Sequence, residues 1–174
     1  MSLQLQAVLF DLDGTLVDSE PIYRSSDKAF LAARGISVPD SLWPGFVGMG
    51  AKAFIQRMKD DFGLKGEMDD LVLEKDSYFQ ALAKTSTKAF DQVLALNSRA
   101  REAGLKTAVA SGSNPEAIRA SLAFAGIGEP FDLLLSSSQV PRSKPAPDDF
   151  LEAARRLDVE PSACLVVEDS VYGA

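Results

Sequence analysis

The sequence predicts an α/β protein in which helices cover a parallel sheet and a helical domain is inserted after the first strand. Short apolar segments, each followed by a polar loop, alternate with amphipathic segments of helical period, which is typical of a parallel sheet. Between residues 19 and 87 the apolar residues instead recur at helical spacing alone. The 174 residues are 46% hydrophobic and 25% charged, as in an ordinary globular protein.

The predicted strands are short and apolar. They are Ala7–Phe10, Lys106–Ala110, Asp132–Leu135 and Cys164–Val167. Amphipathic helices are predicted near Ala89–Ala103, Pro115–Ala125 and Pro147–Leu157. In an open α/β sheet, ligands bind beyond the carboxyl ends of the strands. We therefore expect the polar loops after these strands to meet in one site.

The insert is predicted to contain three helices, each recognised by an apolar stripe. They lie near residues 22–33, 54–62 and 72–83. Glycines at 35 and 63 end the first two. We interpret the stripes as faces that pack helix against helix.

Composition excludes several classes of function. The net charge is −7 and no basic run occurs, so we expect no nucleic-acid partner. No stretch approaches the roughly 20 apolar residues that span a bilayer, and no secretory signal is visible, so we expect no membrane partner. The sequence has no histidine, which excludes a Ser-His-Asp triad, a Cys-His dyad and a histidine zinc site.

The single cysteine, Cys164, lies in the last predicted strand. We expect a buried, inert thiol there. A lone cysteine without a disulfide partner fits a reducing compartment, and we predict a cytoplasmic location.

Two carboxylates, Asp11 and Asp13, directly follow the first predicted strand. Acidic groups at the end of a buried strand are costly to desolvate unless a cation or a reaction uses them. Gly14 permits a sharp backbone turn just beyond them. This segment is the strongest indication of function in the sequence.

The second polar segment, after the second strand of the predicted sheet, runs Ser111-Gly112-Ser113-Asn114-Pro115. Asn114 is a candidate N-cap, with Pro115 at the first helical position. Backbone N–H groups and the Ser111 hydroxyl would suit an anionic oxygen. A capped helix that binds no ligand is the alternative.

Two further segments carry charged side chains. Lys144 lies in a loop stiffened by Pro145 and Pro147, where a fixed ammonium could neutralise phosphate charge. Glu168 and Asp169 follow the last strand, and carboxylate oxygens are the ligands that Mg²⁺ prefers. Taken singly, a solvent-facing lysine and a structural acidic pair remain alternatives.

Together these segments resemble the motifs of the haloacid dehalogenase (HAD) superfamily. In chain order they are Asp11-Leu12-Asp13-Gly14-Thr15, Ser111, Lys144 and Glu168-Asp169. The insert resembles the small cap of the β-phosphoglucomutase-like branch. The resemblance covers nearly the whole chain and implies a Rossmann-like catalytic core of residues 1–18 and 88–174, with an α-helical cap of residues 19–87.

The resemblance also implies residue roles. Asp11 would be the nucleophile that forms an aspartyl-phosphate, and Asp13 the general acid and base. Lys144 would stabilise charge on the phosphoryl group and on the nucleophile, while Ser111 and the Gly112 amide would hold phosphoryl oxygens.

Mg²⁺ is the cofactor that the resemblance implies. Its ligands would be Asp11, the backbone carbonyl of Asp13, and Asp169. Glu168 would be either a further ligand or a residue that supports the ligands. Thr15 is expected to support the first loop.

The implied activity is that of a Mg²⁺-dependent phosphatase, a phosphoric monoester hydrolase whose partner is a small phosphorylated metabolite such as a sugar phosphate. Dehalogenase and phosphonate-cleaving members lack an acid at the position of Asp13. A β-phosphoglucomutase-like sugar phosphomutase is one alternative. A non-catalytic fragment or subunit that binds Mg²⁺ or phosphate is another.

Two residues of the insert are predicted to contact substrate. Glu20 opens the cap, and Lys52 lies in the segment 46–52, which resembles the cap's specificity loop. Lys52 is offset by one position from the basic residue of the mutases, which favours the phosphatase. A solvated helix residue is the alternative for Lys52.

The chain departs from the family in two places. Lys88-Ala89-Phe90-Asp91 stands where relatives carry a Pro-Gly pair on returning from cap to core. Relatives also continue beyond the fourth motif with a helix, a strand and a terminal helix. The core is therefore expected to lack its C-terminal strand and helix, which would leave one sheet edge bare.

Overall fold

A computed structural model describes residues 4–47, 49–128, 130–171 and 173. The chain forms two compact units, one of residues 1–18 and 88–174 and one of residues 19–87. We call them the sheet unit and the helical unit. Their roles as a catalytic core and a cap stay a prediction.

The described residues of the sheet unit contain one sheet of four parallel strands. These are β1 (Ala7–Phe10), β2 (Lys106–Ser111), β3 (Leu133–Ser136) and β4 (Cys164–Val167). Their order across the sheet is β3-β2-β1-β4. The predicted parallel sheet is confirmed, although β2 extends one residue further than expected and β3 is shifted by one.

Six α-helices occur in the part of the chain that the structure describes. They are α1 (Glu20–Ala32), α2 (Ala51–Phe62), α3 (Met68–Ser86), α4 (Asp91–Glu102), α5 (Pro115–Phe124) and α6 (Asp148–Arg156). The first three belong to the helical unit and the others to the sheet unit. None of the described helices is both long enough and apolar enough to cross a bilayer.

The central strand β1 is buried on both faces because its side chains alternate between them. Val8 and Phe10 pack into a core that α4 and α5 complete. Ala7 and Leu9, on the other face, pack into a second core with residues of α6. Each large apolar side chain buried in this way contributes about 1.5–3 kcal/mol. The two cores fix the sheet and the polar loops at its carboxyl edge.

The outer strand β4 lies beside β1 at one edge of the described sheet. Its Leu165 and Val166 are 44% and 38% exposed. Cys164 on this strand is half-buried rather than buried as expected, because an outer strand has a strand neighbour on one side only. Its thiol donates a hydrogen bond to the Glu160 carbonyl at 3.6 Å.

The helical unit packs α1, α2 and α3 around an aromatic-rich core, which confirms its predicted helices. The buried residues of this core are Phe30, Leu31, Trp43, Phe54, Ile55, Met58, Leu64 and Leu71. A 3₁₀ helix over Asp40–Phe46, which the sequence pattern does not predict, contributes Trp43.

A buried ion pair joins α1 and α3. The Lys75 ammonium lies 2.7 Å from Oδ1 of Asp27, and the two side chains are only 8% and 10% exposed. The same ammonium lies 5.5 Å from the ring centre of Tyr23 and 5.2 Å from that of Phe54. Burial raises the pKa of Asp27, and Lys75 opposes that shift.

Candidate active site

Polar residues at or just after the ends of three neighbouring strands converge at the carboxyl edge of the sheet. Asp11 follows β1, and its backbone N–H donates to the Val167 carbonyl at the end of β4. Ser111 is the last residue of β2, and Glu168 follows β4. The parallel register brings these strand ends level with one another, so the loops share one site.

Lys144 connects two of these loops. Its ammonium donates hydrogen bonds to Oδ1 of Asp11 at 2.5 Å and to Oε2 of Glu168 at 2.7 Å. The Lys144, Asp11 and Glu168 side chains are only 16%, 9% and 5% exposed. Charge-assisted hydrogen bonds of this kind are stronger than neutral ones.

A further ion pair joins the two ends of the loop that carries Lys144. Arg142 donates two hydrogen bonds to the carboxylate of Asp148, at 3.1 and 2.9 Å. Asp148 is the first residue of α6, so the pair ties the loop to the start of that helix. The lysine therefore extends from a braced segment rather than from a free surface.

The electrostatics of the site are governed by burial and by the ion pairs of Lys144. Burial raises the pKa of Asp11 to about 7, and the Lys144 ammonium opposes the shift only in part. Burial acts to lower the pKa of Lys144, but the pairs with Asp11 and Glu168 outweigh it and raise that pKa. The lysine thus stays charged while an acidic neighbour tends to take up a proton.

Asp11, Glu168 and Asp169 form an acidic trio beside the lysine. One carboxylate oxygen from each lies within 4.8 Å of the others. The Thr15 hydroxyl donates to Oδ1 of Asp169 at 3.1 Å, and the Ser170 N–H donates to Oε1 of Glu168 at 3.1 Å. These bonds fix the orientation of both carboxylates.

Gly14 leaves room for the Asp169 carboxylate. Its φ is +90°, and a Cβ atom there would lie 2.5 Å from Oδ2 of Asp169. A side chain would therefore displace a member of the trio. An oxygen-only donor set, held by hydrogen bonds and short of positive charge, fits a hard divalent cation such as Mg²⁺.

The loop after β2 presents the other predicted anion-binding groups. Ser111 is buried, and its Oγ accepts a hydrogen bond from the Ser113 N–H at 3.1 Å, so its own hydroxyl hydrogen can point elsewhere. Gly112 is exposed. Asn114 caps α5 through the Ala117 N–H at 2.8 Å, as the sequence predicts.

The structure also reveals residues that the sequence motifs do not indicate. Ser113 donates from Oγ to Oδ2 of the half-buried Asp13 at 3.3 Å. Asp149, in the first turn of α6, is fully buried, and neither of its oxygens accepts a hydrogen bond of ordinary geometry from the described residues. Burial raises the pKa of Asp149, whereas the charge and backbone N–H of Lys144 lower it. The sequence signal that could have indicated Asp149 is the presence of an acidic residue five positions after Lys144.

The remaining predicted residues belong to the helical unit. Glu20 is the exposed first residue of α1. Lys52 lies in the first turn of α2, where its 73% exposed side chain lies 3.4 Å from Oδ1 of Asp69. Gly48 of the predicted specificity loop lies outside the described residues. Contact between substrate and Glu20 or Lys52 stays a prediction.

Comparison with known proteins agrees with this geometry. The family profile of the haloacid dehalogenase-like hydrolases matches residues 5–174. The chloroplastic protein SUPPRESSOR OF QUENCHING 1 of Arabidopsis thaliana is 33% identical over 98% of this chain, which spans 16% of that protein. The N-acetylmuramic acid 6-phosphate phosphatase of Pseudomonas putida is 30% identical over 97% of this chain and 76% of its own length.

A solved structure shows the same fold. CbbY from Rhodobacter sphaeroides, in complex with xylulose-(1,5)bisphosphate, superimposes with a TM-score of 0.80 at 27% identity. The match covers 98% of this chain and 80% of that one. The parallel α/β unit with acidic residues at its carboxyl edge agrees with the hydrolase class of the matching family profile. The chain belongs to the haloacid dehalogenase-like hydrolase family, which confirms the resemblance and the fold class predicted from the sequence.

Proposed function

We propose that this protein is a Mg²⁺-dependent phosphatase that hydrolyses a small organic phosphate, such as a sugar phosphate, through an aspartyl-phosphate on Asp11. The enzyme class, a phosphoric monoester hydrolase, is the predicted one and agrees with the family and with its phosphatase relative. The observation that carries the proposal is the Lys144 ammonium between Asp11 and Glu168. A cytoplasmic location stays a prediction.

Asp11 is the proposed nucleophile. A buried carboxylate with a raised pKa is more basic than an exposed one, and it attacks phosphorus once it is deprotonated. The Lys144 ammonium on Oδ1 holds the side chain in one orientation. The attack forms a bond from a carboxylate oxygen to phosphorus and breaks the ester bond to the leaving oxygen.

Asp13 is the proposed general acid and base. It gives its proton to the leaving oxygen in the first step. In the second step it takes a proton from the water that attacks phosphorus, as the bond between phosphorus and Asp11 breaks. Its half-buried position, two residues from the nucleophile, supports this assignment.

Lys144, Ser111 and Gly112 are proposed to bind the phosphoryl oxygens. The ammonium of Lys144 would compensate the charge that these oxygens carry during transfer. The Ser111 hydroxyl and the Gly112 amide would each donate a hydrogen bond, since the loop carrying them lies at the same sheet edge.

Mg²⁺ would be held by Asp11, the Asp13 carbonyl and Asp169, with Glu168 as a further ligand or a support for the others. The acidic trio and the space left by Gly14 support this assignment. When bound, the metal supplies positive charge that orients the phosphate and reduces its repulsion of the carboxylates.

Phosphate release from a panel of sugar and other small phosphates, with Mg²⁺ and with EDTA, tests the proposal. We expect metal-dependent release that is lost in Asp11→Asn. The exposed variant Asp91→Asn is the matched control and should keep the wild-type rate. Unchanged release in Asp11→Asn would refute the assignment. No phosphate release, together with isomerisation of a sugar monophosphate once a sugar bisphosphate is added, would instead favour a phosphomutase.

A further inference from the structure

We propose that Ser113 is a positioning residue for Asp13, and that Ser136 at the end of β3 holds Ser113 in place. The proposal rests on the proposed function, in which Asp13 transfers protons. Neither serine belongs to the residues assigned above to nucleophilic attack, phosphate binding or metal binding.

Ser113 links two groups of the proposed mechanism. Its hydroxyl donates to Oδ2 of Asp13 at 3.3 Å, across 100 positions of sequence. Its backbone N–H donates to Oγ of Ser111 at 3.1 Å. The proposed acid and the proposed phosphate-binding hydroxyl are therefore oriented by the same residue.

Serines at and just after the end of β3 anchor the loop that carries Ser113. Oγ of Ser136, which is only 1% exposed, donates to the Ser113 carbonyl at 2.7 Å. Oγ of Ser137 donates to the Gly112 carbonyl at 3.1 Å. The Ser136 oxygen in turn accepts the Ser138 N–H at 3.2 Å. Ser136 pairs with Ser111 in the register of β3 against β2. The strand register therefore fixes the position of this loop relative to the sheet.

The contact with Asp13 has a chemical consequence in both steps. In the first, the proton of Asp13 passes to the leaving oxygen while the ester bond breaks and the Asp11–phosphorus bond forms. In the second, water bonds to phosphorus, its proton passes to Asp13, and the Asp11–phosphorus bond breaks. Ser113 can donate to Oδ2 whether or not Asp13 carries the proton, so it holds one orientation throughout.

The dependence of kcat/KM on the leaving group tests this role. Protonation matters most for alkoxide leaving groups and least for p-nitrophenolate. We expect Ser113→Ala to lower kcat/KM by about tenfold for the best alkyl phosphate of the panel, with much less change for p-nitrophenyl phosphate. Ser113→Thr should restore most of the loss, because it keeps the hydroxyl. Ser136→Ala should change the same ratio in the same direction by a smaller factor.

The controls separate positioning from general damage. Ser98→Ala removes an exposed hydroxyl on α4 and should leave the ratio of the two substrates unchanged. An equal loss on both substrates in Ser113→Ala, or no loss on either, would overturn the proposal.

Failure of the proposed function would show itself separately, as absence of metal-dependent release from the wild type. In that case crystal structures of wild type and Ser113→Ala decide the positioning role. A displaced or multiply oriented Asp13 side chain in the variant supports it. An unchanged Asp13 refutes it.

Discussion

The Lys144 ammonium lies 2.5 Å from Oδ1 of Asp11, although 133 positions separate the two residues in the sequence. The same ammonium lies 2.7 Å from Oε2 of Glu168. One lysine thus bridges two carboxylates that follow neighbouring strands. Its removal would leave both acids buried beside each other without a compensating charge.

Lys144→Met should therefore lower kcat by about a hundredfold or more, because a charged donor to the phosphoryl group is lost. Steady-state kinetics with the best substrate of the panel measures the loss. Lys88→Met, at an exposed position of the same unit, is the matched control. A Lys144→Met enzyme with the wild-type kcat would show that this lysine is not part of the reaction.

The stability of the metal-free protein should depend on pH through Asp11. Its folded pKa of about 7 lies above the ordinary value of 3.8, so the folded state holds the proton more tightly than the unfolded state. Relative to Asp11→Asn, wild type should lose stability as pH rises from about 4 to 7, by at most about 1.4 kcal/mol per pH unit, and then stay level.

Urea denaturation in EDTA between pH 5 and pH 8 measures this difference. Asp70→Asn, at an exposed position of the helical unit, is the matched control variant. A difference between wild type and Asp11→Asn that stays constant over this range, or changes in the opposite sense, would contradict the raised pKa.

Gly14→Ala should weaken metal binding, because its Cβ would lie 2.5 Å from Oδ2 of Asp169. We expect the Mg²⁺ concentration for half-maximal activity to rise by about tenfold or more, in line with the loss of one oriented ligand. Gly104→Ala is the control, since Gly104 also has a positive φ of +77° but nothing within 4 Å of the added Cβ. If both variants raised this Mg²⁺ concentration equally, the loss would come from backbone strain and not from the contact with Asp169.

Lys75→Met should destabilise the protein by about 3–5 kcal/mol, because it leaves the buried Asp27 carboxylate without its partner. The double variant Asp27→Leu with Lys75→Met should recover most of that loss. Chemical denaturation measures both. Lys52→Met breaks the exposed pair with Asp69 and should change the free energy of unfolding by less than about 1 kcal/mol. A Lys75→Met variant as stable as wild type would show that the pair contributes nothing.

The sequence predicts the strands well, and it predicts which charged residues lie at their ends. A short apolar run followed by an acidic pair can be recognised from neighbouring residues alone. The bounds of β1 and β4 agree with the prediction to the residue. The pairing of Asp11 with Lys144 follows from the parallel sheet, which brings distant loops to one edge.

Other features depend on contacts that no local pattern contains. The hydrogen bond from Ser113 to Asp13 and the ion pair between Asp27 and Lys75 require the register of one element against another. Cys164 was expected to be buried because its strand is apolar. Its partial exposure depends on the outer place of β4 in the sheet, which the apolar pattern does not specify.

The nucleophilic role of Asp11 is the centre of this account, and trapping the phosphoenzyme tests it most directly. Wild-type protein would be mixed with substrate and Mg²⁺, quenched in acid during turnover, reduced with borohydride and mapped by peptide mass spectrometry. Borohydride converts an aspartyl-phosphate to homoserine, so we expect homoserine at position 11 and none in Asp11→Asn. Modification at another residue, or none while wild type turns over, would contradict the account.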